Sequence, residues 1–166
     1  MPTRLIFFLS LLAVCGVLGF SLYLQFYSGI LPCPLCTLQR IAFAAIAFLL
    51  FIGTFFGRRR FIKLTVSFLV VIFSILGFTF AARQTWLQLF PSASNAECGV
   101  SLQYMMSALP WHQVIEKIFS GSAECAERTW GYLGLSMPEW SVICFSFFFT
   151  VGALMFIREW KRKAGK

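Results

Sequence analysis

The sequence predicts an all-α fold, an integral membrane four-helix bundle with one long outer loop. Three observations carry that expectation. Of the 166 residues, 59% are hydrophobic and 18% aromatic, with a mean hydropathy of +0.81. A soluble domain of this size has too little interior to hide that much apolar surface, so lipid is the remaining solvent. Four apolar stretches, residues 5–27, 38–56, 61–82 and 140–157, each suffice to cross roughly 30 Å of hydrocarbon at about 1.5 Å per residue. The basic residues, finally, fall on one side of that four-span arrangement.

The first span follows Arg4. It is longer than the apolar region of a cleaved signal peptide and reads as an uncleaved span. Residues 28–37 then form a short outer loop, in which Pro32 and Pro34 are expected to block a helix because each lacks an amide donor. The second span should therefore begin near Thr37 or Leu38 and end at Gly53 to Gly57. The connection 57–60 is short enough to require an antiparallel helical hairpin. Residues 83–139 make the long outer loop before the last span. Gln84–Pro91 continues span three with interface residues such as Trp86 and Phe90, and Pro91–Cys98 is a turn-rich linker. Beyond it, Pro110 suits the start of a short amphipathic helix at Trp111, where a missing amide does no harm. That helix would lie in the headgroup plane or pack on the other helices. Trp130, Tyr132 and Trp140 suit interface anchors. The whole chain reads as a single membrane domain.

Net charge is +8, and its placement indicates topology rather than nucleic-acid binding. Arg4, Arg58, Arg59, Arg60, Lys63, Arg158, Lys161, Arg162, Lys163 and Lys166 are ten of the 14 basic residues, and all lie on one side. Five of the six acidic residues (Glu97, Glu116, Glu124, Glu127 and Glu139) lie on the other. The positive-inside rule makes both termini and the 57–60 loop cytoplasmic. No soluble basic surface remains for nucleic acid.

Topology also sorts the six cysteines. Cys15 and Cys144 fall inside spans, where apolar surroundings leave a thiol inert. Cys33, Cys36, Cys98 and Cys125 fall on the outer side. Those four suit structural disulfides, a zinc site or two redox pairs that exchange. Zinc is disfavoured, and no metal is expected, because only one CxxC knuckle is present. A CxxC ring is small and reducible, which suits exchange better than stapling. Arg40 strengthens the redox reading. One helical turn after Cys36, its charge favours a thiolate and would stabilise negative charge developing on an electron acceptor. Its ordinary alternative is interfacial anchoring. An acceptor at that depth must come from lipid, and a quinone fits.

Cys33-Pro34-Leu35-Cys36 followed by Arg40 combines with three further stretches. These are Gln84-Thr85-Trp86-Leu87-Gln88-Leu89, Cys125-Ala126-Glu127-Arg128-Thr129-Trp130 and Leu133-Gly134-Leu135-Ser136-Met137-Pro138-Glu139-Trp140. With the four spans, they make nearly the whole chain resemble the disulfide bond formation protein B (DsbB) family of the bacterial inner membrane.

The resemblance implies a thiol:quinone oxidoreductase with periplasmic redox loops. Its partners would be a DsbA-like thioredoxin-fold oxidant and the membrane quinone pool, either ubiquinone or menaquinone. Cys98 matches the cysteine attacked by the reduced donor, and Cys125 matches the partner that passes the change to Cys33. Cys36 matches the cysteine facing the quinone, with Arg40 near the ring. Gln84 stands where the family often has a histidine near the quinone. Glutamine can hydrogen-bond a carbonyl but cannot titrate near neutrality. His112, the only histidine, reads as solvated or interfacial. Two other readings remain open: a non-enzymatic membrane protein with stapled outer loops, and a related quinone-linked oxidase. The second is either dedicated to one oxidant or in the style of vitamin K epoxide reductase.

Overall fold

Apolar sequence with few interruptions produces four long helices. In the computed structural model they are α1 (Thr3–Ser28), α2 (Pro34–Phe56), α3 (Arg60–Leu89) and α4 (Met137–Ala164). The structure describes residues 3–28, 33–57, 59–90, 107, 110, 112–114 and 131–164. The lengths of 23 to 30 residues correspond to about 34–45 Å. All four are long and apolar enough to cross a membrane, and the chain is a multi-pass membrane protein. Each helix begins earlier or ends later than the apolar run that announces it. α3, for example, continues to Leu89, taking in the extension expected from Gln84 beyond the apolar run that ends at residue 82. Hydropathy marks the lipid-buried stretch, whereas the backbone continues to bond itself into the interface.

α2 departs most from expectation. It starts at Pro34, inside the segment where proline is expected to block it. Pro34 occupies the first helical position, where the amide has no intrahelical acceptor to lose. Cys33 caps the helix, its sulfur accepting from the Cys36 amide at 3.3 Å.

Consecutive helices pack in order, α1 on α2, α2 on α3 and α3 on α4. The core contains Phe7 and Val14 of α1, Phe43 and Ile46 of α2, Val70 of α3 and Phe145 of α4. Phe43 and Phe145 stack with ring centroids 4.0 Å apart. Small residues on α3 permit that approach. A Cβ on Gly77 would lie 2.2 Å from Phe145. Ser67 and Ser74 share the buried surface of α3, and their hydroxyls have no partner among the described residues. Exposed Phe, Leu and Ile elsewhere, such as Phe48 and Leu154, are lipid-facing positions in a membrane protein.

At the end opposite Cys33, Glu159 is almost fully buried, at 2% exposure. It accepts from Thr3 Oγ1 at 2.9 Å and lies 4.0 Å from Lys63 Nζ and 3.5 Å from Arg162. Arg60 donates to the carbonyl oxygens of Glu159 and Trp160 at 2.6 and 3.1 Å. Basic residues that mark topology in the sequence therefore also hold a buried acid and a helix C-terminus.

A short antiparallel hairpin precedes α4, with β1 (Gly131–Tyr132) paired to β2 (Leu135–Ser136). Leu133 and Gly134 make its turn at φ +54° and +81°, the left-handed region a two-residue hairpin turn requires. Glu139 in the first turn of α4 accepts from the Ser136 amide at 2.5 Å and its hydroxyl at 2.9 Å. The bond to the Ser136 amide is the glutamate half of a capping box, written in the sequence as Ser-x-x-Glu.

Candidate redox site

Helix α2 places Cys33 and Cys36 one turn apart at its N-terminus. Their sulfurs lie 2.9 Å apart. Thr37 closes the turn, its amide and hydroxyl both donating to the Cys33 carbonyl at 3.0 and 3.2 Å. Cys33 is buried and Cys36 half-buried. One cysteine is thus sealed inside the protein, while the other retains a surface an acceptor can reach.

Gln84 of α3 faces both sulfurs. Its Nε2 donates to Cys36 Sγ at 3.0 Å and to Cys33 Sγ at 3.4 Å. Its Oε1 accepts from Gln39 Nε2 at 2.7 Å. Both amides are buried, at 3% and 4% exposure. The sequence connects Gln84 to the acceptor; in the structure its amide donates to the thiol pair. Gln39 is absent from the residues that the sequence singles out. A signal for it exists, since it is a polar residue within an apolar span, three positions after Cys36, where α-helical spacing gives a shared face.

Arg40 is half-buried and turns toward α1. Its Nε donates to Ser21 Oγ at 2.7 Å, its Nη2 to the Ser21 carbonyl at 3.1 Å, and its Nη1 to Gln25 Oε1. These three bonds use three of the five N–H groups of a guanidinium. Arg40 is thus an interhelical fastener that, among the described residues, still has donors to offer.

A second apolar cluster closes over the pair. It contains Cys33, Leu35, Leu87 and Val114, with Cys36, Leu38 and Phe80 packed around it. Val114 comes from the long loop, in a helical turn at 112–114 whose amides at Gln113 and Val114 bond back to the Pro110 carbonyl. This turn falls where the short amphipathic helix after Pro110 is expected, most of which lies outside the described residues, and its Val114 belongs to the buried cluster. His112 is exposed. Trp111, Trp130 and the two loop cysteines, Cys98 and Cys125, lie outside the described residues.

The chain is similar to known proteins over nearly its whole length. The sequence model of the family described as disulfide bond formation protein DsbB matches residues 3–155. Disulfide bond formation protein B of Hahella chejuensis is 39% identical over 160 residues, covering 96% of each chain. The Aromatoleum aromaticum protein of the same name is 38% identical over 153 residues, 92% of each chain. Disulfide bond formation protein B 1 of Pseudomonas aeruginosa is 37% identical over 156 residues, 94% of this chain and 96% of that one. A match of this extent leaves one assignment: the chain belongs to the disulfide bond formation protein B family.

Proposed function

We propose that this chain is a thiol:quinone oxidoreductase of the bacterial inner membrane that reoxidises a periplasmic DsbA-like dithiol protein. The observation that carries the reading is the Cys33–Cys36 pair. Its sulfurs are 2.9 Å apart at the end of a membrane-length helix, beneath an amide that donates to both. Thiol–disulfide exchange needs a thiolate, a disulfide and access, and one face of this pair opens toward the interface.

In this reading the donor's thiolate attacks Cys98 and forms a mixed disulfide, releasing Cys125. The Cys125 thiolate then attacks Cys33, and the electron pair of the broken Cys33–Cys36 bond stays on Cys36. Cys33 is buried in an apolar cluster that includes Val114 of the long loop, so exchange requires that the loop bring Cys125 to it. The placement of ten basic residues on one side supports cytoplasmic termini and periplasmic redox loops.

When bound, a quinone supplies a two-electron acceptor that dissolves in the bilayer. The donor set fits one, since Arg40 retains N–H groups for a carbonyl oxygen and Cys36 is the less buried sulfur. Gln84, whose amide donates to both sulfurs, would reach such a ring only by giving up one of those two bonds.

The test is purified chain with reduced dithiol donor and quinone. Quinone reduction should vanish in Cys36→Ser, and wild-type turnover in that variant would exclude the mechanism. In a glutathione redox buffer the Cys33–Cys36 pair should titrate above about −300 mV, where stable staples do not. Cys125→Ser should accumulate a Cys98-linked adduct that identifies the donor by mass spectrometry.

A further inference from the structure

We propose that Gln39 is a positioning residue for the redox pair, acting by fixing which end of the Gln84 amide faces the sulfurs. This role rests on the oxidoreductase reading above. It assigns to Gln39 a function exerted through Gln84 rather than on the sulfurs directly.

A side-chain amide has two nearly isosteric ends, one donating and one accepting. Nothing in the shape of a buried site distinguishes them; only hydrogen bonding does. Gln39 Nε2 donates to Gln84 Oε1 at 2.7 Å, which leaves Gln84 Nε2 for Cys36 at 3.0 Å and Cys33 at 3.4 Å. Rotating the Gln84 amide by half a turn would set its NH2 against that of Gln39. It would also aim a carbonyl lone pair at the sulfur that becomes a thiolate. Both consequences are unfavourable in a site where the two amides are 3% and 4% exposed. With Gln39 donating, as it does here, Gln84 presents its donating end to the sulfurs.

The chemical consequence follows from the exchange step. An incoming thiolate bonds to Cys33 Sγ, the Cys33–Cys36 bond breaks, and its electron pair remains on Cys36 Sγ. No proton or further reactant enters. The negative charge appears on the sulfur 3.0 Å from Gln84 Nε2. A donor there favours the opened pair, and an acceptor there would oppose it. Neither glutamine titrates, so any pH dependence of this support comes from the Cys36 sulfur itself.

The experiment uses the full chain carrying Cys98→Ser and Cys125→Ser, so that among the outer cysteines only Cys33 and Cys36 titrate against glutathione. Alkylation and mass spectrometry read the reduced fraction. Gln39→Leu should shift the dithiol–disulfide equilibrium about tenfold toward the disulfide, close to 30 mV. Gln84→Leu should give a similar shift, and the double variant should add nothing to Gln84→Leu alone. An unchanged equilibrium in Gln39→Leu, or additive shifts, overturns the positioning role. If Gln39→Leu fails to fold, Gln39→Met carries the same expectation with the side-chain length preserved. A parent pair that glutathione cannot open at all rejects the oxidoreductase reading itself, and the positioning role falls with it. A parent that titrates normally while Gln39→Leu matches it rejects only the role of Gln39.

Discussion

Thr3 and Glu159 are 156 positions apart in the chain, yet the Thr3 hydroxyl donates to the Glu159 carboxylate at 2.9 Å. The bond joins the first helix to the last, and the acid that accepts it is nearly inaccessible. Glu159→Leu should lower stability in detergent by about 2 kcal/mol, because it strands the Thr3 hydroxyl and removes the charge facing Lys63. Glu159→Gln should cost less, about 1 kcal/mol, since Arg162 is well solvated and its ion pair weak. Denaturant titration of the two variants beside the parent measures both; equal stability of all three would contradict the coupling.

Two substitutions to alanine on the same helix should differ, one destabilising and the other not. Gly77→Ala drives a methyl group into Phe145 and should cost about 1–3 kcal/mol through overpacking. Ser74→Ala removes a buried hydroxyl without a partner among the described residues and should be neutral or stabilising by up to about 1 kcal/mol. Thermal unfolding midpoints decide the comparison.

The hairpin before α4 holds Leu133 at φ +54°, a region in which a leucine is strained. Its side chain is exposed at 76%. Leu133→Asn should raise stability by about 1 kcal/mol, because Asn-Gly is the favoured pair for this turn. A lower unfolding midpoint in the variant would show that the leucine side chain contributes more than its backbone strain costs.

Glu139→Ala removes the acceptor of the Ser136 amide. The start of α4 should fray, with a cost of about 1 kcal/mol. Hydrogen exchange localised to the first turn of α4 is the sensitive readout, and unchanged protection there would contradict the cap.

Arg40→Lys keeps the charge but cannot reproduce the forked contact with Ser21 and Gln25. It should loosen α1 from α2 by about 1–2 kcal/mol. In the quinone assay it should raise the KM for quinone more than it lowers kcat. Wild-type stability in Arg40→Lys would remove α1 as the main partner of the guanidinium.

The spans are legible in the sequence because lipid demands long apolar runs, and no tertiary knowledge is needed to see them. The Cys33–Cys36 pair is legible as local spacing. The start of α2 is not, if proline is taken as a helix breaker without asking which position it holds; at Pro34 the rule that applies to Pro110 suffices. The Gln39–Gln84 bond crosses 45 residues, and Arg40 reaches back 15 and 19 residues. Such pairings depend on how helices rotate against one another, which composition and periodicity leave open. Glu159 hides among basic neighbours that suggest a solvated tail.

Arg40 and Thr3 together give α1 an unusual dependence. The helix is tied to its neighbours by directional polar bonds near both ends, with Ser21 and Gln25 at one and Thr3 at the other, while much of its length faces lipid. Arg40 is also the cation we propose for the acceptor. Any substitution at this position is therefore read twice, once as a change in electron delivery and once as a change in how the bundle is assembled. Variation that retunes the enzyme for a different acceptor is constrained from the side of α1: a new residue 40 requires matching changes at Ser21 and Gln25, so these three positions should vary together as one unit.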